Sequence, residues 1–469
     1  MLVGMAADGP LLGGRTDMDV AHERDRLAVN RLLAFFHPKS GRWSTPTGEA
    51  WQPALAVDAV ITTYERTRDV TYLNVIEKSF ARYRGRRSHY YDDDGWYLNA
   101  WLRAYDVTGD PKYLDEARAL FTKMTQAWDD VCGGGLWWNA DRGYKNAITN
   151  ELFLLAAARL HRRARPPAGE GGYLDWALRE WNWFDASGMI NSSHQVNDGL
   201  DGSCANNGGV TWTYNQGVIL GGLVELWRIT GDRGHLARAR QIADATVNTQ
   251  VHPGLILREP GEPATCSGDA LIFKGVFVQG LARLYNAVRK GGADRDSGSA
   301  YWTFLNTNAD AVWRARQRIR RGVGPCWTRR GGRVNAATQA SASLLVGGVA
   351  LLHAGGETND PPPTGGTVYA PSRSPDGRHV GFTVDAPSAR DYILTFRYSA
   401  GAGDAVRHLG VNGVRRAEKL LFTDTGDWAS YTTVSYTVPL SRGPNAVSLG
   451  YDRRGGSRNK LNLDSLLVR

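Results

Sequence analysis

Cysteine is scarce, with four in 469 residues at positions 132, 204, 266 and 326. Wide spacing without a CxxC pair excludes a zinc ribbon, and so few sulfurs cannot frame a disulfide-dense scaffold. One or two bridges would suit an exported chain, but the spacing leaves their pairing open. No apolar run approaches the roughly 20 residues that span a bilayer, so no membrane span is expected. The opening MLVGMAADGPLLGG has neither a basic stretch nor a long apolar one, and it does not read as a signal peptide. Long runs of one charge are missing too. The net charge is +9, but RGRR at 84–87 and RRARPP at 162–167 are short clusters within a scattered arginine population. That pattern argues against a nucleic-acid partner, which wants a basic stripe. Nothing calls for a metal or a cofactor.

What the chain has in excess is aromatic rings, 16 Trp and 19 Tyr. Rings stack on the C–H faces of sugars, which tilts the reading toward carbohydrate, although core filling accounts for many of them. At 42% hydrophobic and 22% charged the composition is that of an ordinary globular protein, long enough for two domains.

Self-similarity organises the first three quarters. Ala59–Phe80, Ala100–Phe121 and Gly222–Ala243 each hold an apolar-periodic helix, a short polar turn and a second helix. In Thr108-Gly109-Asp110-Pro111 the glycine ends one helix, the aspartate caps the next and the proline takes its first position. Thr230-Gly231-Asp232 repeats that chemistry. Further copies run through Glu151–Leu160 with Tyr173–Phe184, and through Gly275–Val288 with Tyr301–Val312. An opening helix near Asp19–Phe36 and a closing one near Ala337–His353 bring the total to about twelve. Short turns make successive helices antiparallel, and six such hairpins predict an all-α (α/α)6 toroid. The long Gly- and Trp-rich segments between pairs (88–95, 129–145, 191–214, 252–269 and 322–333) are where functional loops should sit. Residues 1–18 read as a tail, 19–356 as the helical domain and 357–366 (ETNDPPPTGG) as a Pro/Gly linker. Residues 367–469 switch to period two, as in Tyr392–Tyr398 and Ala446–Tyr451, which predicts a β-sandwich of the jelly-roll kind.

Chemistry concentrates at Tyr90-Tyr91-Asp92-Asp93-Asp94-Gly95-Trp96. Consecutive carboxylates repel, so at least one should hold its proton more tightly than usual. A glycosidase needs that contrast, one ionised carboxylate and one protonated carboxyl. The simpler reading is an acidic helix start, with Asp94 as its cap. Adjacent side chains of an extended segment diverge, so a shared target would require a tight turn at Asp92–Asp93 rather than a strand or helix interior.

This stretch resembles the catalytic turn of glycoside hydrolase family 76, Tyr-Asp-Asp-x-Gly-Trp, which Asp92, Asp93, Gly95 and Trp96 match. An Asp93–Asp94 pair would fail the Gly-Trp spacing. The resemblance extends over most of residues 20–355 through Trp128–Trp138, Lys145–Glu151, Thr213–Gly217 and Phe273–Gly275. It implies a retaining endo-α-1,6-mannanase with Asp92 as nucleophile and Asp93 as acid/base. The partner implied is α-1,6-mannan, acted on by a monomer outside the cell. Asn146, Asn150, Tyr214, Asn215, Gln216 and Lys274 then become candidates for binding mannose hydroxyls, and Trp137, Trp138 and Trp212 for stacking. Asp129 and Asp130 follow a helix and read as loop-structural or substrate-binding. Transfer of the glycosyl group to another sugar, or mannan binding without catalysis, stay open as alternatives.

The C-terminal region is similar to carbohydrate-binding module families 6 and 35 in Arg397–Gly401, Val411–Gly413, Thr425–Trp428, Gly443–Val447 and Asn462–Asp464. That likeness implies a sugar site at Trp428 and Asn462. The paired acidic residues of those families' calcium site are not recognisable near Thr367–Asp376.

Overall fold

A computed structural model describes residues 17–164, 172–262, 268–291, 295–316, 322–354, 367–369, 372–373, 379–386, 388–426, 432–451 and 461–468. The tail expected at 1–18, apart from its last two residues, and the linker expected at 357–366 lie outside them.

Among the described residues there are twelve α-helices: α1 (Asp17–Leu32), α2 (Gln52–Thr67), α3 (Val70–Tyr83), α4 (Tyr91–Thr108), α5 (Pro111–Thr125), α6 (Ala147–His161), α7 (Tyr173–Ala186), α8 (Thr213–Thr230), α9 (Arg233–Thr249), α10 (Ala270–Gly291), α11 (Arg295–Ala315) and α12 (Ala336–His353). Their succession is the expected one, and the turn chemistry explains it. Thr108 Oγ1 donates back to Ala104 O at 2.7 Å, and Gly109 closes α4 in the left-handed region at φ 71°. Asp110 then accepts from Lys112 N at 3.1 Å ahead of Pro111. At the end of α8, Thr230 Oγ1 bonds Leu226 O and Gly231 takes φ 74°. The α2–α3 turn uses the same device with one substitution. Thr67 bonds Thr63 O, but Arg68 occupies the left-handed position at φ 55°.

Contacts divide the chain into two units. One comprises Met1–Arg82, Gly188–Val224 and Arg233–Thr358. Within it α1 packs on α12, and α12 also packs on α2 and α10. Helix approach is close there: a Cβ on Gly280 would fall 2.0 Å from Gly217 O, so α8 and α10 meet backbone to backbone. By length and composition α12 could cross a membrane, but 94% of it is buried in this unit. That apolar stretch was not singled out in the sequence, and its burial makes it a core helix.

The second unit comprises Tyr83–Ser187, Glu225–Asp232 and Asn359–Arg469. Its helical part packs α4 against α5 and α6, and α6 against α7. Its sheet part contains β5 (Thr367–Tyr369), β6 (Ser372–Arg373), β7 (His379–Ala386), β8 (Arg390–Ser399), β9 (Ala405–Val411), β10 (Val414–Phe422), β11 (Thr432–Leu440), β12 (Gly443–Gly450) and β13 (Asn462–Val468). The smaller strands β1 to β4 are two-residue ribbons at Phe36–His37, Arg42–Trp43, Val251–His252 and Ile256–Leu257. One sheet has the order β10-β9-β12-β7-β6 and the other β11-β8-β13-β5. Alternate residues from both sheets, such as Phe382 and Val384 with Leu394, Phe396 and Tyr398, bury into one apolar core. The period-two pattern read in the sequence is that burial.

Candidate active site

Helix α4 opens with Tyr90 as N-cap, whose side chain makes no capping bond, and carries Asp92, Asp93 and Asp94 in its first turn. The expectation of a tight turn outside a helix is therefore corrected. Free N–H groups and the helix dipole favour anions at this end. Residues rotate by about 100° each along a helix, so the three carboxyls face three different sets of partners.

Asp94 is buried, accepting from Ser88 N at 2.9 Å and from Lys123 Nζ at 2.6 Å. Lys123 also donates to Ser88 O. Asp94 therefore ties down the preceding segment and does not cap its own helix as expected. Ser88 is the hub of this corner. Its hydroxyl donates to Asp93 Oδ2 at 2.8 Å and accepts from Tyr90 N at 3.1 Å. Asp92 accepts one bond, from Trp138 Nε1 at 3.1 Å, while its buried Oδ1 has no hydrogen-bond partner among the described residues. Part of Asp92 reaches solvent, but that oxygen does not. Burial first, and the Asp93 charge second, push the Asp92 carboxyl up to about 8 against the pull of the indole N–H. One carboxyl thus keeps its proton at neutral pH, as the row of aspartates suggested.

The loop before α6 delivers Trp138 by backbone pairing. Tyr91 N donates to Trp138 O and Trp138 N to Tyr144 O, each at 2.8 Å. Its ring packs at 4.8 Å from the exposed Tyr90. Trp138 therefore reaches the pair through its N–H, a role that the stacking expectation did not include. The neighbouring Trp137 faces another partner, donating to Asp129 Oδ2 at 2.6 Å with the Lys145 ammonium 4.8 Å over its ring. Buried Lys145 bonds Asp129 Oδ1, Val131 O and Gly134 O at 2.6–2.8 Å. Asp129 is a loop anchor, in line with the structural half of its reading, and Asp130 is exposed, 3.7 Å from Arg179.

Several of the polar candidates are engaged with the protein itself. Asn146 caps α6, accepting from Thr149 N at 3.3 Å. Asn150 is fully buried, taking Leu136 N at 2.6 Å and returning a bond to Leu136 O at 3.0 Å. Gln216 clasps Val196 in the same way, both bonds at 2.8 Å. Asn308, which sequence reasoning missed, accepts from Leu257 N at 2.8 Å and donates to Leu255 O at 3.0 Å. Each of these three amides also donates to the carbonyl four residues earlier in the chain. Gln339 accepts from Val323 N at 3.1 Å and donates to Ala28 O. One buried amide thus clips the loop that precedes each of four helices.

In the first unit, Trp212 and Tyr214 flank the first residue of α8. Tyr214 stacks on Phe273 at 3.9 Å, and Trp212 meets the same ring edge-on at 5.6 Å. Between them Thr213 donates its N–H, at 3.2 Å, and its hydroxyl to Glu259. Burial lifts Glu259 to about 7, while the bonds from Thr213 and the Lys274 charge oppose the lift. Lys274 is buried and committed to Glu262 Oε1 at 2.5 Å and Pro325 O at 2.9 Å. Asn215 is buried with neither amide atom bonded among the described residues. In the sheet region Asn462 opens β13 opposite Ser399, and Trp428 lies outside the described residues. Cys132 and Cys204 are disulfide-bonded, and Cys326 is a buried thiol that is not disulfide-bonded.

Two adjacent carboxyls with separate partners offer the unlike pair that glycosidic chemistry uses. The model of glycosyl hydrolase family 76 matches residues 21–353, and the chain belongs to that family. A mannan endo-1,6-alpha-mannosidase of Saccharomyces cerevisiae is 33% identical over 214 residues, covering 43% of this chain and 45% of the relative. The chain thus spans about half the length of the curated relatives it matches. Among solved structures, the GH76A alpha-1,6-mannanase of a Salegentibacter species is 25% identical with a TM-score of 0.62, covering 71% of this chain and 99% of that one. An inactive variant of that enzyme, with two adjacent aspartates changed to asparagine, is in complex with alpha-1,6-mannotriose. Dfg5 of Chaetomium thermophilum, 21% identical with a TM-score of 0.63 over 74% of this chain and 93% of its own, shares the fold.

Proposed function

We propose that the protein is an exported retaining endo-α-1,6-mannanase that cleaves α-1,6-linked mannan backbones through a glycosyl-enzyme intermediate. The observation that carries this reading is the Asp92–Asp93 pair, two neighbouring carboxyls held in unlike environments at the mouth of α4. Asp93, oriented by the Ser88 hydroxyl, protonates the glycosidic oxygen as the bond breaks. Asp92 attacks the anomeric carbon, and a water activated by Asp93 then releases the sugar. In the free protein burial keeps a proton on Asp92, whereas a nucleophile must be ionised. The two carboxyls titrate as a pair, and the role of Asp92 requires the shared proton to reside on Asp93 when substrate is bound. The alpha-1,6-mannanase relative and its inactive two-aspartate variant support the substrate class and the pair. We read the twelve helices as a closed (α/α)6 toroid. The β-region is read as a separate jelly-roll carbohydrate-binding module with Asn462 and Trp428 at its sugar site. The disulfide-bonded Cys132 and Cys204 suit a compartment outside the cytosol.

The test is Asp92→Asn and Asp93→Asn, with products from linear α-1,6-mannan followed by mass analysis. Each variant should lose hydrolysis by a factor of roughly 100 or more. Full activity in either variant would remove its residue from the mechanism, and elongated products from the native protein would replace hydrolysis by transfer.

A further inference from the structure

Arginines that look scattered in the sequence gather around one cavity. A space of about 670 Å³ opens between the C-terminal ends of α1 and α11 and the first half of α12. Leu27, Val312 and Val346 line its apolar walls, and Arg31, Arg316 and Arg330 bring three guanidinium groups to it. None of the three has a carboxylate partner among the described residues. Arg31 Nε is buried and unbonded, Arg316 bonds Trp313 O at 2.5 Å and lies 3.9 Å over the Trp313 ring, and Arg330 Nε bonds Arg314 O at 3.0 Å. The nearby Asp310 is already shared by Arg24 at 2.5 Å and Arg314 at 3.6 Å. Two helix C-termini offer about half an elementary charge each, which leaves a cationic surplus. Burial first, then the charges of Arg24 and Arg330, lower the proton affinity of Arg316, as expected where positive charge is uncompensated.

A neutral mannose chain has no use for three unpaired guanidiniums, and a bare anion has none for the aliphatic walls. We infer that this cavity binds an anionic amphiphile, a phosphate or carboxylate head on a short hydrocarbon tail, with the head against Arg31, Arg316 and Arg330. Its volume falls within the usual range of small-molecule sites, and guanidinium–phosphate pairs are strong, forked contacts.

The experiment is isothermal titration calorimetry of the full chain with n-octyl phosphate below its micellar concentration, with inorganic phosphate and n-octanol as separate probes. Octyl phosphate should bind saturably at one site, at least ten times more tightly than either fragment. The exposed Arg330→Glu should weaken it at least ten-fold, and Arg316→Ala likewise. Absence of saturable binding, equal affinity for inorganic phosphate, or binding unchanged in Arg330→Glu would overturn the assignment. So would displacement by α-1,6-mannotriose. Because the readout is binding alone, its outcome is separate from that of the mannanase test.

Discussion

Trp138→Phe tests how the carboxyl pair is tuned. The substitution keeps an aromatic ring against Tyr90 and removes the only hydrogen bond, among the described residues, from another side chain to Asp92, the 3.1 Å contact to Oδ2. With Oδ1 already unbonded, the ionised carboxylate would be left more exposed to its low-dielectric surroundings. A hydrogen bond to a charged group contributes about 1.5–3 kcal/mol, equivalent to about one to two pKa units. The sign follows from which form the bond favours. The indole N–H stabilises ionised Asp92, so its loss raises a carboxyl that already titrates near 8. If ionised Asp92 is the nucleophile while Asp93 carries the pair's one proton, loss of the bond disfavours that form, and the falling limb of kcat/KM, where the proton leaves, moves upward by about one to two units. At pH 6 the variant should then be slower by roughly 10–100-fold, with the deficit shrinking as pH rises. The assay is kcat/KM on α-1,6-mannotetraose from pH 5 to 9, with circular dichroism as a fold control. A deficit equal at every pH would refute the tuning argument and make Trp138 a binding platform alone.

Other outcomes follow from features away from the pair. Arg68→Gly should raise stability by about 1 kcal/mol, because glycine fits the left-handed helix end without strain; a lower Tm would show that Arg68 stacking on Tyr64 outweighs it. Glu259 titrates near 7 in the fold against 4.5 unfolded, so its contribution to stability is complete below 4.5 and is lost as pH rises through 7. Glu259→Gln should therefore show a shallower fall in Tm between pH 5 and pH 8, and an unchanged slope would contradict that assignment. Ending the chain near Asn359 should preserve turnover of short α-1,6-mannooligosaccharides and weaken binding to polymeric mannan. Insolubility, or lost turnover on short substrates, would make the β-region a structural partner of the helices.

Helix boundaries were legible in the sequence because local chemistry sets them. Thr108-Gly109-Asp110-Pro111 needs nothing distant to stop one helix and start another. The aspartate pair was legible through its motif, but its surroundings were not. Ser88 and Trp138 reach it from 4 and 46 residues away from Asp92, Lys123 braces the adjoining Asp94 and Ser88, and no spacing rule links them. The amides show a different limit. Asn150 and Gln216 were nominated to hold sugar, since a polar residue in the first turns of a helix reads alike whether it faces a ligand or a loop. Burial and the bonds to Leu136 and Val196 separate the two, and both require the folded chain. Lys274 was ambiguous for the same reason, its partner Glu262 being set by the fold of an intervening loop.

The clips formed by Asn150, Gln216 and Asn308 grip only the peptide groups of the loops ahead of them. A grip on the backbone does not read side chains, so the exposed residues around the buried Leu136, Val196 and Leu257 can change without releasing the loop. Diversification is then cheap at the rim: segments there can be rewritten, lengthened or exchanged between relatives, provided that one backbone N–H and one carbonyl arrive at each clip. A library built on this protein should fix those amides and randomise the loops between them. New glycan preferences would then arise without the helical frame having to be solved again.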